Sequence, residues 1–431
     1  AELAADPDVA SVRPNAILRT RARAVAAAAP TAPPSDNVAL IGAAQLWRAG
    51  LTGEGVTVAS LDSGVDASHP ALAAAFRGGR GGWFDPSGQH ATPVDTSGHG
   101  TATMGVIVGG GAGGATLGVA PDARWIAAKV FDDRGKSSVA RIHAAFQWLL
   151  DPDGRPGTAD APQVVNASWN RASGGCDLEF EDDLRHLRAA GIVTVFASGN
   201  DARDASPAND PSAFAVGSVD AAGAVAPDSG RGRSSCGGPV YPNLVAPGVD
   251  IPTTDVAGLY TTQTGTSVAA PHVTGALALL LSRFPRTSAL RQQSALEAGA
   301  ADLGARGPDD VFGFGRLDVA ASYHWLVTAR DHTLTPDRWS ITARAGRSAS
   351  LRVKLGAVHG FTGPVRVTVE GLPSGASASA IRVTLRGASR DVRLRVATTP
   401  RVRAGTPPVI VVARAGDRSR RLAVRLVVLP R

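Results

Sequence analysis

The chain has 431 residues, 44% hydrophobic and 19% charged, which makes it too long for one compact core and too apolar to be disordered. No apolar run reaches the roughly 18 residues that a membrane-spanning helix needs. The formal net charge is +7, and its 44 basic residues include only three lysines, Lys129, Lys136 and Lys354. In chain order, DVASVRPN (8–15) alternates like one short strand, and AVAAAAPTAPPSDN (24–37) reads as a Pro-rich linker. A disordered extension fits the same residues equally well. The start at Ala1 rather than Met leads us to expect that an upstream part has been removed and that the protein is exported.

Four later segments each end or begin on a reactive residue. VTVASL (56–61) is an apolar strand that delivers Asp62 at its C-terminal tip, where open α/β sheets place their sites. DTSGHGTATMG (95–105) sets His99 between glycines at the start of an apolar segment. IVTVFASGN (192–200) is a second buried strand, and it delivers Asn200. GTSVAAPH (265–272) puts Ser267 at the mouth of an apolar helix running from Val273 to Leu281, where the positive helix end favours developing negative charge. Pro271 suits an early helical turn.

Singly, these residues read as a turn cap, a structural histidine, a turn asparagine and a capping serine. Together they form a chemical set. A serine hydroxyl is a weak nucleophile until a neighbouring base takes its proton. His99 fits that base, and Asp62 fits the group that fixes the imidazole tautomer and stabilises the imidazolium. Asn200 and the Ser267 N–H fit the donors to an oxyanion. The order Asp, His, Ser differs from that of α/β-hydrolases, and Ala269 removes the Gly-x-Ser-x-Gly elbow, which disfavours an esterase or lipase.

The blocks VTVASLDSGVDASHPAL, DTSGHGTATMGVIVG, VVNASWN, VFASGN and GTSVAAPHVTGALALLL resemble those of the subtilases, the subtilisin-like serine endopeptidases. The resemblance covers about residues 38–325, and the Trp of VVNASWN and the Thr-Met of HGTATMG lean towards the bacillopeptidase F-like branch. It implies a catalytic triad of Asp62, His99 and Ser267 with Asn200 as oxyanion donor. It also implies that Ser168-Trp169-Asn170 and Lys136-Ser137-Ser138 pair with substrate backbone, which gives broad specificity because main-chain bonds do not read side chains. Small residues around Ala205 and Ala208 stand where the family builds its primary pocket. The strand at 8–15 resembles the last strand of a subtilase propeptide, so residues 1–37 read as a propeptide remnant and linker, and the propeptide as the enzyme's own inhibitor.

Departures from the family pattern matter for metals. Ala71 replaces an aspartate, and GGAGGATL (110–117) lacks the usual oxygen ligands, so the best-known calcium site is expected to be absent. DPDG (151–154) and the acids Glu179, Glu181, Asp182 and Asp183 offer oxygens elsewhere, but a turn and a solvated helix face are the plainer readings. No metal or cofactor is expected in catalysis, and structural calcium stays open.

From about residue 338 the pattern changes to short alternating runs, SLRVKL, VRVTVEGL, IRVTLRG, DVRLRVA, PVIVVARA and LAVRLVVL, which predict an Ig- or fibronectin-like β-sandwich. GRLDVAAS (315–322) reads as the closing helix of the preceding domain and HTLTPDR as a short connection. The expected architecture is therefore a doubly wound, mainly parallel α/β catalytic domain (38–330) followed by a small all-β module (338–431). That module holds 19 basic residues against 3 acidic ones, while the remainder of the chain is net negative. Three readings of this split stay open: arginines that solubilise strand faces, an adhesive for acidic surfaces such as cell-wall polymers, and docking onto the acidic domain of the same chain. With few aromatics among the arginines, specific nucleic-acid recognition is not expected. In an exported protein Cys176 and Cys236 predict one disulfide. The functional expectation is a secreted serine endopeptidase that acts through an acyl-enzyme. Its rival is a weakly active scaffold whose basic module binds acidic surfaces.

Overall fold

The computed structural model describes residues 15–19, 25–27, 36–110, 116–237, 240–328, 330–416 and 418–430. Its centre is a seven-stranded sheet in the order 244–247, 214–219, 193–197, 164–167, 57–62, 124–129, 83–84, with every neighbouring pair parallel. The strands are apolar on both faces because both faces are covered, as a parallel sheet requires. Val58, Val164 and Val195 face one core with Met104, Ile107, Val273 and Leu277 from helices His99–Val108 and Thr266–Arg283. Ala59, Val165 and Phe196 face the other, with Ile142 and Phe146 of helix Val139–Trp148 and Leu184 and Leu187 of helix Glu181–Ala189. This is a doubly wound α/β domain, and one of its inner strands, Thr57–Asp62, ends on Asp62. Among the described residues no helix is long and apolar enough to cross a membrane.

The C-terminal part is a β-sandwich of a four-stranded and a five-stranded sheet. Alternation sorts its side chains: along Arg390–Thr398, Val392, Leu394 and Val396 turn inward while Arg393 and Arg395 remain exposed. One expectation is corrected here. The segment read as a connection, HTLTPDR, supplies the first strand of the sandwich, Asp331–Pro336, paired antiparallel with Ser348–Val358. His332 and Leu334 point into the core from it, and the flanking threonines and the terminal proline masked that alternation in the sequence. The closing helix also runs further than expected, over Val319–Thr328.

The sandwich is docked on the α/β domain. Arg425 pairs with Glu181 and lies 3.5 Å from Asp182, both in the first turn of helix Glu181–Ala189. The Arg188 guanidinium sits 5.9 Å from the centre of the Trp339 ring, and His359 Nε2 donates to the Leu326 carbonyl at 2.7 Å. Docking onto the same chain's acidic surface therefore uses part of the basic charge.

Before residue 36, two short segments are described. Ile17–Arg19 pairs antiparallel with Lys136–Ser138, and Val25–Ala27 pairs antiparallel with Tyr260–Gln263. The strand expected over 8–15 lies outside the described residues except for Asn15. The linker expected over 24–37 contains the strand Val25–Ala27, and helix Asp36–Leu40 begins within it. Cys176 and Cys236 form a disulfide that joins two loops 60 residues apart.

Candidate active site

Asp62 is buried at the end of strand Thr57–Asp62, and its Oδ1 accepts from the Ser63 N–H and from His99 Nδ1, each at 2.7 Å. The neighbouring strand brings Lys129 level with Asp62, and its buried Nζ donates to the Ser63 carbonyl at 2.6 Å, holding the turn after Asp62 in place. His99 is the first residue of its helix. Gly100 follows it because a Cβ there would lie 2.0 Å from the Gly64 carbonyl oxygen and 3.0 Å from the Asp62 Cβ. The close approach of helix and strand end thus depends on that glycine.

Asp95 sets where this helix starts. Its carboxylate accepts from the N–H groups of Ser97, Gly98 and Thr101 and from the Thr101 hydroxyl, at 2.8–3.0 Å. Asp95 is not among the residues expected at the site, although an aspartate just ahead of a helix is a recognised start signal. Burial pulls the His99 pKa down, but the charge and hydrogen bond of Asp62, with the charge of Asp95 behind, outweigh it and hold the imidazole above its ordinary value. With Nδ1 donating to Asp62, the neutral ring presents Nε2 as its basic nitrogen.

Ser267 is the second residue of helix Thr266–Arg283. Pro271 lies six residues into that helix rather than at its first position, so the Ser267 carbonyl has no N–H to receive from residue 271. Ser168 supplies the missing donor, its hydroxyl reaching the Ser267 carbonyl at 2.7 Å. Asn166 Nδ2 in turn donates to Ser168 Oγ at 2.9 Å. Asn166 is likewise outside the expected set. Its signal was a polar residue inside the buried run VVNAS, where a side chain must find partners.

Asn200 lies at the tip of its strand, exposed, with Oδ1 accepting from the Thr266 N–H at 3.0 Å and the Thr266 hydroxyl at 2.9 Å. That leaves Nδ2 as the donor end of the amide. Gly265, at φ 147°, joins Asn200 to Ser267: a Cβ there would lie 3.4 Å from both Asn200 Nδ2 and Ser267 Oγ. Next along the helix, His272 is fully buried and ties the site to the N-terminal helix. Its Nδ1 donates to the Val268 carbonyl at 2.8 Å, and Asn37 Nδ2 donates to its Nε2 at 2.6 Å. Burial pushes its pKa down to about 4.

The side chains of the residues expected to pair with substrate lie in different surroundings. Lys136, Ser137 and Ser138 form a strand whose edge carries Ile17–Arg19, with Leu18 opposite Ser137 and buried in the core. Ser138 also caps the following helix through the Arg141 N–H. The Ser168 side chain is turned to Ser267, and Trp169 belongs to the core, its Nε1 donating to the Leu61 carbonyl and its ring packed edge-on against Phe196. Asn170 is half-buried at the end of this stretch, and Ala205 and Ala208 are buried. Of the acids considered for cations, Asp183 accepts from His143 at 2.6 Å and Glu181 pairs with Arg425, so ion pairing within the chain engages both. Asp151 and Asp153, joined by Asp160, gather carboxylate oxygens within 4.8 Å of one another.

The sequence pattern of the family described as "Subtilase family" matches residues 53–315, a span that includes Asp62, His99, Asn200 and Ser267 and ends before the sandwich. Bacillopeptidase F of Bacillus subtilis (strain 168) is 37% identical over 267 residues, covering 57% of this chain and 18% of that protein. The chain thus corresponds to under a fifth of that relative's length. Subtilisin E of the same organism is 33% identical over 328 residues, 74% of this chain and 77% of that protein. Subtilisin of Bacillus pumilus is 34% identical over 293 residues, covering 66% of this chain and 97% of that protein.

Proposed function

The chain belongs to the subtilase family of serine endopeptidases, bacillopeptidase F-like in its similarity, and from that premise we propose that Asp62, His99 and Ser267 are its catalytic triad. The observation that carries this reading is the 2.7 Å bond from His99 Nδ1 to Asp62, which leaves Nε2 as a base with a raised pKa. The Ser267 hydroxyl attacks the carbonyl carbon of a peptide bond while His99 takes its proton. The Asn200 Nδ2 and the Ser267 N–H donate to the oxyanion, and losing one such donor typically costs about 10²–10³ in turnover. His99 then returns the proton to the leaving amine, and water resolves the acyl-enzyme by the same route. Nucleophile, base and oxyanion donors are all groups of the chain, so the chemistry calls on no metal or cofactor.

Broad specificity is part of the proposal. It is supported by the main-chain pairing that the Lys136–Ser138 edge already makes with Ile17–Arg19. The N-terminal segment acts as the enzyme's own inhibitor in this reading. Its support is that residues 17–19 and 25–27 pair with Lys136–Ser138 and with Tyr260–Gln263, the latter just ahead of Ser267. Secretion is supported by the Cys176–Cys236 disulfide, which persists in oxidising compartments. For the basic module we propose binding to acidic cell-surface polymers, supported by the arginines that its docking leaves exposed.

A fluorophosphonate that labels active serines tests the catalytic reading. Stoichiometric labelling at Ser267, lost in Ser267→Ala, is the expected result. No labelling of the folded protein would overturn the endopeptidase in favour of a scaffold whose module alone binds.

A further inference from the structure

A cavity of about 710 Å³ lies where the sandwich meets the α/β domain. Arg188 and Arg291 face it from the α/β side, and Arg414, Arg418, Arg420 and Arg421 face it from the sandwich. Asp210 and Glu297 are the acids among the described lining residues, burial pushes both carboxyls up to about 7, and Asp331 pairs with Arg420 from outside the lining, so the arginines remain in excess over partly ionised acids at neutral pH. Three lining groups are left without a partner among the described residues: Arg188 Nε, Asp210 Oδ2 and Ser419 Oγ. Arg188 and Asp210 are both more than nine-tenths buried, so the cavity wall holds polar groups that neither solvent nor the protein satisfies.

The sandwich continues this charge outward. In the five-stranded sheet, Arg366 stands directly opposite Arg382 on one neighbouring strand and opposite Arg414 on the other, and all three are exposed. Strands sit about 4.8 Å apart, so the row crosses about 10 Å of surface and reaches the cavity at Arg414. Like charges directly opposite each other destabilise a sheet, so the row favours a bound counter-charge. Among the described residues the carboxylate that answers it is Glu370, shared between Arg414 at 3.4 Å and Arg421 at 2.7 Å.

We propose that the interdomain cavity and the Arg414–Arg366–Arg382 row form one binding track for a linear chain of phosphate groups, with the end of the chain in the cavity. The guanidinium fork pairs bidentately with phosphate oxygens, and a phosphate chain carries a charge on every backbone unit, whereas the charges of a polycarboxylate stand on flexible side chains whose ordering costs entropy. The track extends beyond the cavity, which suits a polymer rather than a single anion. Thr368 and Thr384 flank the row in place of aromatic rings, and the cavity's Trp325 ring is already covered by Arg291 and Arg420, at 5.5 and 5.6 Å. The track therefore lacks the stacking platform that bases would need. This inference rests on the reading of the module as a binder of acidic polymers and names its site and ligand chemistry.

The test is calorimetric titration of the full chain, carrying Ser267→Ala to prevent autolysis, with long-chain inorganic polyphosphate and with polyglutamate of matched charge. Polyphosphate should bind, weaken steeply with salt, and exceed polyglutamate by about tenfold. Arg366→Glu with Arg414→Glu should lower that affinity at least about tenfold, and Arg366→Gln with Arg414→Gln should do so with an unchanged melting temperature. Arg352→Glu with Arg393→Glu, on the opposite sheet, should cost less than about threefold. Equal losses from the two glutamate pairs, or equal affinity for polyglutamate, would overturn the track. If the full chain binds neither polymer, the reading of the module fails with it.

Discussion

The Ser168 hydroxyl donates to the Ser267 backbone carbonyl across 2.7 Å, at the position where Pro271 withholds the helical N–H. The proline and the serine are 103 residues apart in the chain, yet each makes sense only in the presence of the other. Ser168→Ala should leave that carbonyl unsatisfied at a cost of about 1–3 kcal/mol and lower kcat more than it raises KM. Adding Pro271→Ala restores a donor within the helix, so the double variant should regain part of the lost stability. Thermal unfolding of the two single variants and the double measures this, and strictly additive losses would remove the link.

Activity against pH follows from His99. The base must be neutral, and Asp62 and Asp95 outweigh burial to hold its pKa above the ordinary value, so kcat/KM should rise with a midpoint above about 6.5. Ser267→Ala and His99→Ala should each abolish nearly all turnover in a folded protein, and their combination should cost little more than either. A midpoint clearly below 6.5 in the wild type would contradict the geometry around His99.

Cleavage of the N-terminal segment should fall within residues 20–24, between the stretch that pairs with Lys136–Ser138 and the one that pairs with Tyr260–Gln263. Intact-mass analysis should find the wild type cut there and Ser267→Ala uncut. Leu18 is 5% exposed in the core beside the Lys136–Ser138 edge, so Leu18→Asp should loosen the segment and slow its processing. Cleavage of Ser267→Ala at the same bond, in the absence of other proteases, would assign the cut elsewhere.

His272 should make the fold acid-sensitive. Its folded pKa is about 4 against an ordinary value of 6.5, so the unfolded chain binds the extra proton between those values. Its contribution is intact above about pH 6.5 and is lost as pH falls towards 4, up to about 3 kcal/mol. Unfolding measured from pH 7 to 4 should show that slope, and His272→Gln should flatten it while lowering stability at pH 7. An unchanged slope in the variant would shift the effect to other groups.

The disulfide should matter to stability more than to chemistry. It closes a loop of 60 residues, for which the chain-entropy model gives about 4 kcal/mol. Thiol counting in denaturant without reductant should find no free thiol, and Cys176→Ser with Cys236→Ser should unfold at a lower temperature. Two free thiols in the native protein would exclude the bond.

What the sequence determined by itself was the set of local patterns. Apolar strands ending on Asp62 and just short of Asn200, a glycine-bracketed His99 and a serine at a helix mouth were all visible, because each depends on neighbours within a few residues. Alternation along 390–398 announced the sandwich for the same reason. Tertiary structure alone decided which of these patterns meet. It turned Ser168 to the Ser267 carbonyl and Trp169 into the core, although the two are adjacent and carried one expectation. It gave Asp95 the start of the His99 helix, made a strand of Asp331–Pro336, and set Arg425 on Glu181. Spacing along the chain records the period of a strand or helix, but a hydrogen bond or ion pair between distant residues depends on how whole elements pack. Those pairings appear only once the elements are in place.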